Sequence, residues 1–138
     1  MNNEFLEFSD YSLCHDFHKK ITATFGGPMK RAPVTTHILD LVTGRPSAGV
    51  NVALFFGQEQ IAQSKTNDDG RIASWNSEFQ LEQGRYRLEF DVGPWFKSLG
   101  RETFYEEIQI AFLVDKVEEH FHVPLLLSPH GYSTYRGS

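Results

Sequence analysis

The sequence has little cysteine and no long hydrophobic segment. The first argues against a disulfide-stabilised protein and the second against a membrane-spanning one. The 138-residue chain contains one cysteine, Cys14, which cannot form an internal disulfide bond, so nothing indicates an oxidising compartment. No apolar run approaches the roughly 20 residues of a membrane span. The N-terminal MNNEFLEFSD has neither the basic nor the apolar region of a secretory signal peptide. We therefore expect a cytoplasmic protein that does not interact with membranes.

The chain also lacks an excess of positive charge. Thirteen Lys and Arg residues stand against 18 Asp and Glu residues, which gives a formal net charge of -5. Affinity for nucleic acid comes largely from clustered basic side chains that neutralise phosphates. No such cluster is evident in the sequence, so we expect no nucleic-acid partner.

The composition that remains is that of one globular domain. Hydrophobic residues make up 40% of the chain and aromatic residues 14%, and this length is sufficient for a single hydrophobic core. The alternating pattern begins at Val34. Residues 1–33 lack it and include a Phe-Gly-Gly-Pro stretch typical of linkers. We therefore interpret residues 1–33 as an N-terminal extension, either accessory or left from a fusion, and residues 34–138 as the domain.

From Val34 onward apolar residues recur with period two and are interrupted by turn signals at short intervals, which is typical of all-β sandwiches. A short helix is predicted at 93–100, with Pro94 near its start and Gly100 at its C-cap. Asn67–Gly70 is a predicted turn, because Asn, Asp and Gly tolerate the left-handed backbone region. The pattern predicts seven to eight strands, of which seven are assigned to 34–41, 50–57, 59–66, 84–92, 106–114, 117–128 and 131–138.

Histidines form the main chemical signal. His120 and His122 are one residue apart in a predicted strand, so both side chains project from the same face while Phe121 points into the core. His37 alternates with Thr35 in the first strand. It can join the pair only if the first and penultimate strands are neighbours, or if neighbouring subunits meet. The alternative is that these are ordinary surface or hydrogen-bonded core histidines.

Two further polar residues occupy unusual positions. Arg71 immediately follows the predicted Asn67–Gly70 turn, where its guanidinium can bind an anion or a polarised carbonyl. A solvated surface arginine is the alternative interpretation. Ser138 is the last residue of the sequence, so its hydroxyl accompanies the terminal carboxylate. We expect the C-terminal segment to form part of a site.

Four segments, in this order, resemble the 5-hydroxyisourate hydrolases, the enzyme branch of the transthyretin-like superfamily: TTHILD, TGRPSAGVNV, TNDDGR and HFHVPLLLSPHGYSTYRGS. The terminal YRGS and the histidines distinguish the hydrolases from the hormone-carrying transthyretins. The resemblance extends from Val34 to Ser138. It implies an all-β, transthyretin-like Greek-key β-sandwich with one short helix, and a homotetramer with its sites at the dimer–dimer interface.

The resemblance also implies an activity and a set of site residues. The expected reaction opens the ring of 5-hydroxyisourate, a small molecule of urate degradation, to 2-oxo-4-hydroxy-4-carboxy-5-ureidoimidazoline, with no cofactor and no metal. The implied catalytic residues are His37, Arg71, His122 and Ser138. The residues expected to line the same pocket and bind substrate are His120, Tyr135, Arg136 and Gly137.

Each implied residue suits a step of such a hydrolysis. A histidine with a pKa near ~6.5 serves first as base and then as acid, and we assign His122 as the base that activates water. His37 is the second proton carrier or fixes the tautomer of the first histidine. Arg71 offers a fork of donors to developing negative charge. Ser138 orients water or a histidine, and Arg136 either contacts the substrate or anchors the terminus.

Three other hypotheses remain open on the sequence. The three histidines His37, His120 and His122 also fit a catalytic zinc site with one open position, although Arg71 would disfavour a nearby dication. A transthyretin-like carrier of a small aromatic ligand has the same framework but no need for these residues together. A β-sandwich interaction module leaves them unexplained.

Overall fold

The structure is a computed structural model that describes residues 31–138. Residues 1–30, which contain Cys14 and most of the predicted extension, lie outside the described residues. In the part of the chain that is described, no helix is long and apolar enough to cross a membrane.

Nine strands and one α-helix follow one another within residues 31–138. They are β1 (Val34–Asp40), β2 (Arg45–Pro46), β3 (Asn51–Phe56), β4 (Glu59–Lys65), β5 (Arg71–Ile72), β6 (Gly84–Phe90), α1 (Val92–Ser98), β7 (Ile108–Val114), β8 (Phe121–Ser128) and β9 (Gly131–Thr134). The seven longer strands and the helix match predicted elements. The two-residue strands β2 and β5 were not predicted, because two residues are too few to show a period.

The strands form two sheets. The first has the order β2-β1-β8-β9, with β5 also paired to β1, and the second has the order β4-β3-β6-β7. β1 and β8 are parallel, with Val34 opposite Phe121 and Asp40 opposite Leu127. The prediction of an all-β sandwich with one short helix is confirmed. The first and penultimate long strands are neighbours, which is the condition under which His37 joins His120 and His122.

The core lies between the sheets and is built by the alternation along each strand. The side chains of Val34, Ile38, Phe121 and Leu125 from the first sheet are at most 4% exposed, and they pack with buried residues of the second sheet such as Leu88. Full burial of each such side chain contributes about 1.5–3 kcal/mol. Because successive side chains of a strand alternate, the residues that immediately flank each of these positions in the first sheet face outward.

The turn after β4 places Arg71 against β1. The Asn67 side-chain oxygen accepts hydrogen bonds from the N–H groups of Asp69, at 2.9 Å, and Arg71, at 3.0 Å. Gly70 has φ of 71°, and a Cβ there would lie 2.7 Å from the Ile38 carbonyl oxygen, so only glycine fits. The Ile38 N–H donates to the Gly70 carbonyl at 2.8 Å. The predicted turn is thus present and fastened to the first strand.

The predicted strand over 131–138 is wrong in its second half. β9 ends at Thr134. The next position of the facing strand is Pro124, which has no N–H to donate to the ladder, and its carbonyl accepts the Thr134 hydroxyl at 2.7 Å. Pairing resumes at Gly137, whose N–H donates to the His122 carbonyl at 2.8 Å in an isolated bridge. The terminal segment is therefore held to β8 on both sides of the interruption.

Candidate active site

The outward face of the first sheet brings most of the predicted polar residues together. On the parallel strands Thr35 lies directly opposite His122, and on the antiparallel pair His37 lies opposite Arg71. Directly opposed side chains on antiparallel strands have Cβ atoms about 4.5–5.5 Å apart. Three strands that are distant in the sequence thus contribute to one patch, which we call the histidine face: Thr35, His37, Arg71, His120 and His122.

Thr35 links two of the histidines. Its Oγ1 lies 2.8 Å from Nδ1 of His122 and 3.1 Å from Nε2 of His120. The two imidazole rings are nearly parallel, at 15°, but their centroids are 6.4 Å apart, so the hydroxyl, not a ring contact, connects them. Thr35 is only 6% exposed. A buried hydroxyl is costly unless it is hydrogen-bonded, and here the histidines supply the partners.

The environment of His122 favours its neutral form. Burial is the largest cause of its lowered pKa, and the charge of Arg71 is the next. Smaller contributions in the same direction come from His120, His37 and Arg31. Both effects disfavour an added positive charge. His122 therefore keeps a ring nitrogen lone pair near neutral pH, as a base must.

The other two histidines have lowered pKa values for related reasons. Burial and then Arg71 lower the pKa of His37, while a hydrogen bond to the Asp69 backbone and the charge of that residue act against the shift. Burial and then Arg31 lower the pKa of His120, opposed by a hydrogen bond to the Ala32 backbone. The histidine face thus holds neutral imidazoles beside permanent positive charge.

Gly137 packs directly against His122. A Cβ at Gly137 would lie 2.5 Å from Cδ2 of His122 and 3.1 Å from Cγ of Pro124. These distances leave no room for a side chain, so the terminal segment closely covers one side of the His122 ring. The predicted place of Gly137 beside the pocket agrees with this contact, and its role in substrate binding stays a prediction.

The remaining predicted site residues are exposed or contact other groups. The guanidinium of Arg136 lies 4.6 Å from the ring centroid of Phe121 and binds Glu119 at 3.1 Å. Because Phe121 faces inward, these contacts fit the anchoring alternative better than substrate contact. Tyr135 is 57% exposed. Ser138 is exposed, and within residues 31–138 its hydroxyl forms no hydrogen bond.

Three residues that bind or electrostatically influence the histidines are not among the predicted site residues. Thr35 enters the sequence pattern only by alternating with His37, and Arg31 and Ala32 fall in the predicted extension. A hydroxyl two residues before a histidine was an available signal, but its partners become evident only from the strand register. No group of three or more His, Cys, Asp or Glu side chains in residues 31–138 is arranged to hold a metal ion.

The fold and the histidine face together define a class: a transthyretin-like β-sandwich that presents neutral histidines and an arginine on the outer surface of one sheet. The chain belongs to the HIUase/Transthyretin family, whose model matches residues 34–137.

Individual relatives agree with this assignment. A probable 5-hydroxyisourate hydrolase of Schizosaccharomyces pombe is 43% identical over 120 residues, covering 80% of this chain and 96% of the relative. The structure of Klebsiella pneumoniae 5-hydroxyisourate hydrolase has a TM-score of 0.70 and 46% identity, covering 76% of this chain and 98% of that one. The structure of sea bream transthyretin in complex with thyroxine has a TM-score of 0.71 and 31% identity, covering 77% of this chain and 95% of that one.

Proposed function

We propose that this protein is a 5-hydroxyisourate hydrolase. The observation that supports this most strongly is the meeting of His37, Arg71 and His122 on one face of three strands. Relatives named as 5-hydroxyisourate hydrolases match most of the chain at 40–46% identity. The reaction opens a ring at an amide-like carbonyl, giving 2-oxo-4-hydroxy-4-carboxy-5-ureidoimidazoline.

His122 acts as the general base in this proposal. It removes a proton from water, whose oxygen attacks the ring carbonyl carbon, and the carbon–nitrogen bond of the ring then breaks. The oxygen of water remains in the new carboxylate, and the leaving nitrogen takes up a proton. The lowered pKa of His122 supports this role because a base must be unprotonated when the substrate binds. Proton transfer by a positioned side chain contributes about 10²- to 10⁴-fold.

Arg71 and His37 complete the reaction centre. The guanidinium of Arg71 presents several N–H donors to the carbonyl oxygen as it gains negative charge. His37 lies opposite Arg71, and its ring proton is held by the Asp69 backbone, so its other ring nitrogen is a hydrogen-bond acceptor that can orient water or an N–H of the substrate. The proton that the leaving nitrogen takes up is the one that His122 removed from water.

The C-terminal segment supplies the rest of the proposed pocket. Tyr135 and Gly137 line its rim, Ser138 orients water or a histidine, and Arg136 anchors the segment through Glu119. His120 contributes to the same wall. No cofactor and no metal are required by this chemistry, because histidine, arginine and water account for every proton and charge.

We further propose a cytoplasmic homotetramer with the site at the dimer–dimer interface, formed by residues 34–138, with residues 1–33 as an extension. Large exposed apolar side chains near the sheet edge support association, among them Leu113, 68% exposed, on the edge strand β7, and Phe104, 73% exposed. Exposed edge strands usually either pair with another strand or carry features that block such pairing, such as charged side chains or proline. Light scattering that shows only monomer at micromolar concentration would contradict this assembly.

A stopped-flow absorbance assay with freshly made 5-hydroxyisourate tests the activity. The wild-type protein should accelerate the decay of substrate, and His37→Ala and Arg71→Gln should each slow it. Decay no faster than in buffer would exclude the hydrolase proposal. Tight binding of thyroxine without turnover would instead favour a carrier, because sea bream transthyretin, which shares this fold, forms a complex with thyroxine.

A further inference from the structure

The hydroxyl of Thr35 can donate a hydrogen bond to only one of its two histidine neighbours at a time. It lies within hydrogen-bond distance of Nδ1 of His122 and Nε2 of His120, at 2.8 and 3.1 Å. A threonine hydroxyl has one proton to donate, while its oxygen can also accept. The hydroxyl can therefore donate to only one of the two imidazoles, and if one ring nitrogen accepts its proton, the other must donate to its oxygen. The protonated nitrogens of the two histidines are therefore coupled.

The backbone of Ala32 sets the direction of this coupling. The chain just before β1 runs beside the start of β8, because the Phe121 N–H donates to the Pro33 carbonyl at 2.9 Å. The His120 ring also hydrogen-bonds to the Ala32 backbone, in the sense that favours a protonated ring nitrogen. A carbonyl oxygen only accepts, so His120 must be the donor. Since Nε2 of His120 is turned toward Thr35, the donor is Nδ1.

The remaining hydrogen bonds follow from this starting point. A neutral His120 with its proton on Nδ1 has a bare Nε2, which accepts the hydroxyl proton of Thr35. The Thr35 oxygen then accepts from Nδ1–H of His122. The lone pair of His122 is left on Nε2, the nitrogen turned away from the relay.

We propose that Ala32, His120 and Thr35 form a hydrogen-bond relay that holds His122 in its Nδ1–H tautomer, with a free lone pair on Nε2. Thr35 is then a positioning residue for the reacting imidazole. His120 then contributes to the pocket wall as part of the relay, in place of the substrate-binding role that the resemblance implied. The effect on catalysis depends on the proposed hydrolase function, whereas the tautomer of His122 does not.

The charges around the relay favour the neutral rings that it requires. Arg31 lies near His120 and His122, and Arg71 lies near His122; each opposes a further positive charge there. Thr35 is nearly fully buried, so water competes little for its hydroxyl. Both conditions keep the relay in one arrangement.

Nitrogen-15 NMR of the histidine side chains in the wild-type protein provides the direct test. Long-range proton–nitrogen correlations distinguish a protonated from a bare ring nitrogen at each position. At pH 7.5 we expect a protonated Nδ1 and a bare Nε2 for His122, and the same arrangement for His120. A wild-type His122 that is protonated at Nε2 would overturn the proposal, whatever the variants do.

Variants of Thr35 test the effect on the reaction. Thr35→Val keeps the branched shape and removes the hydroxyl, so His122 should lose its single tautomer and kcat should fall about 10- to 100-fold with little change in KM. Thr35→Ser should restore both. Thr36→Val is the matched control, because Thr36 faces the core and donates only to the Val123 carbonyl, at 2.6 Å. It should leave the tautomer and kcat unchanged.

His120→Phe separates the relay from substrate binding. Loss of the relay should lower kcat and disturb the tautomer of His122, whereas loss of a binding contact should raise KM alone. An unchanged tautomer and kcat in Thr35→Val or His120→Phe would contradict the proposal. If the wild-type protein does not hydrolyse 5-hydroxyisourate, the proposed function fails and the NMR result still decides whether the relay exists.

Discussion

The two sheets of the sandwich share one architecture but present different outer faces to solvent. On the first sheet, neutral histidines, a threonine hydroxyl and Arg71 lie within one another's reach. On the second sheet, the outer face has ordinary surface contacts, such as Arg87 with Glu89 along the same strand at 2.8 Å and Arg87 over the ring of Phe55 on the neighbouring strand at 4.2 Å. Both faces are polar, but within residues 31–138 only the first combines neutral imidazoles with a fixed cation.

The second sheet has a concave surface of its own. An open groove of about 650 Å³ crosses its outer face, between residues that include Gln63, Lys65 and Glu89. Its lining is mainly amide and charged groups that water solvates well. A groove by itself therefore does not mark a candidate active site; what distinguishes the histidine face is burial that lowers the pKa of several neighbouring imidazoles.

The largest effect should come from removing the base on the first sheet. We expect His122→Ala to lower kcat/KM about 10²- to 10⁴-fold, the range for a general base. Glu89→Ala, in the groove of the second sheet, should change it less than about twofold, since solvated surface groups rarely affect a distant step. Stopped-flow assays of both variants check this. Equal losses of kcat/KM in the two variants would contradict the assignment of catalysis to the first sheet.

A smaller but still large effect should follow from adding one methyl group beside His122. In Gly137→Ala the new Cβ would contact the imidazole at 2.5 Å, so the ring must move, and displacement by about 1 Å can cost on the order of 10²-fold in rate. Gly131→Ala is the matched control, because a Cβ there has nothing within 4 Å. If Gly137→Ala keeps wild-type kcat, the close packing of the terminal segment on His122 does not matter for catalysis.

The dependence of rate on pH should reveal the histidines of the first sheet. Since burial and Arg71 lower the pKa of His122 below its ordinary value of 6.5, kcat/KM should be flat from pH 7.5 to about 6.5. Below its folded pKa the rate should fall about tenfold per pH unit. An acid limb that begins above pH 6.5 would contradict the neutral-histidine description.

Folding stability should change in the same acid range. The unfolded chain takes up protons on these histidines near pH 6.5, before the folded protein does, so stability is complete above that pH and declines as the pH falls toward the folded pKa values. Urea denaturation at pH 7.5 and 5.5 measures the difference. His122→Ala should reduce it, because one of the histidines with a lowered pKa is then absent.

The smallest effect should appear on the second sheet. Arg87→Ala removes a partly exposed ion pair with Glu89 and the contact with Phe55, which we expect to cost about 0.2–1 kcal/mol of unfolding free energy. Urea denaturation measures this, and the hydrolysis rate should remain that of the wild type. A loss of activity greater than fivefold in Arg87→Ala would show that the second face also contributes to function.

Much of the sandwich was predictable because alternation is a local property. The prediction of a strand at 34–41 agrees with β1, and the predicted helix at 93–100 lies within two residues of α1. The last strand was predicted too long, because the sequence does not show that Pro124 faces the terminal segment and interrupts the ladder. Strand identity is local, whereas strand pairing is not.

The site was predictable only in part for the same reason. The alternation His120-Phe121-His122 correctly placed both imidazoles on one side and Phe121 in the core, where it is 4% exposed. Arg71 was singled out from its turn. Thr35 was not, since its partners lie 85 and 87 residues away in the sequence.

The sequence by itself determined which residues form strands, where the Asn67–Gly70 turn lies and which family segments are present, because these depend on neighbouring residues. The tertiary structure decided that β1 runs parallel to β8, in a register that sets Thr35 opposite His122. Backbone hydrogen bonds between strands are alike for nearly every residue, so they do not encode that register. It arises from packing the whole core, and the arrangement of the histidines is its consequence.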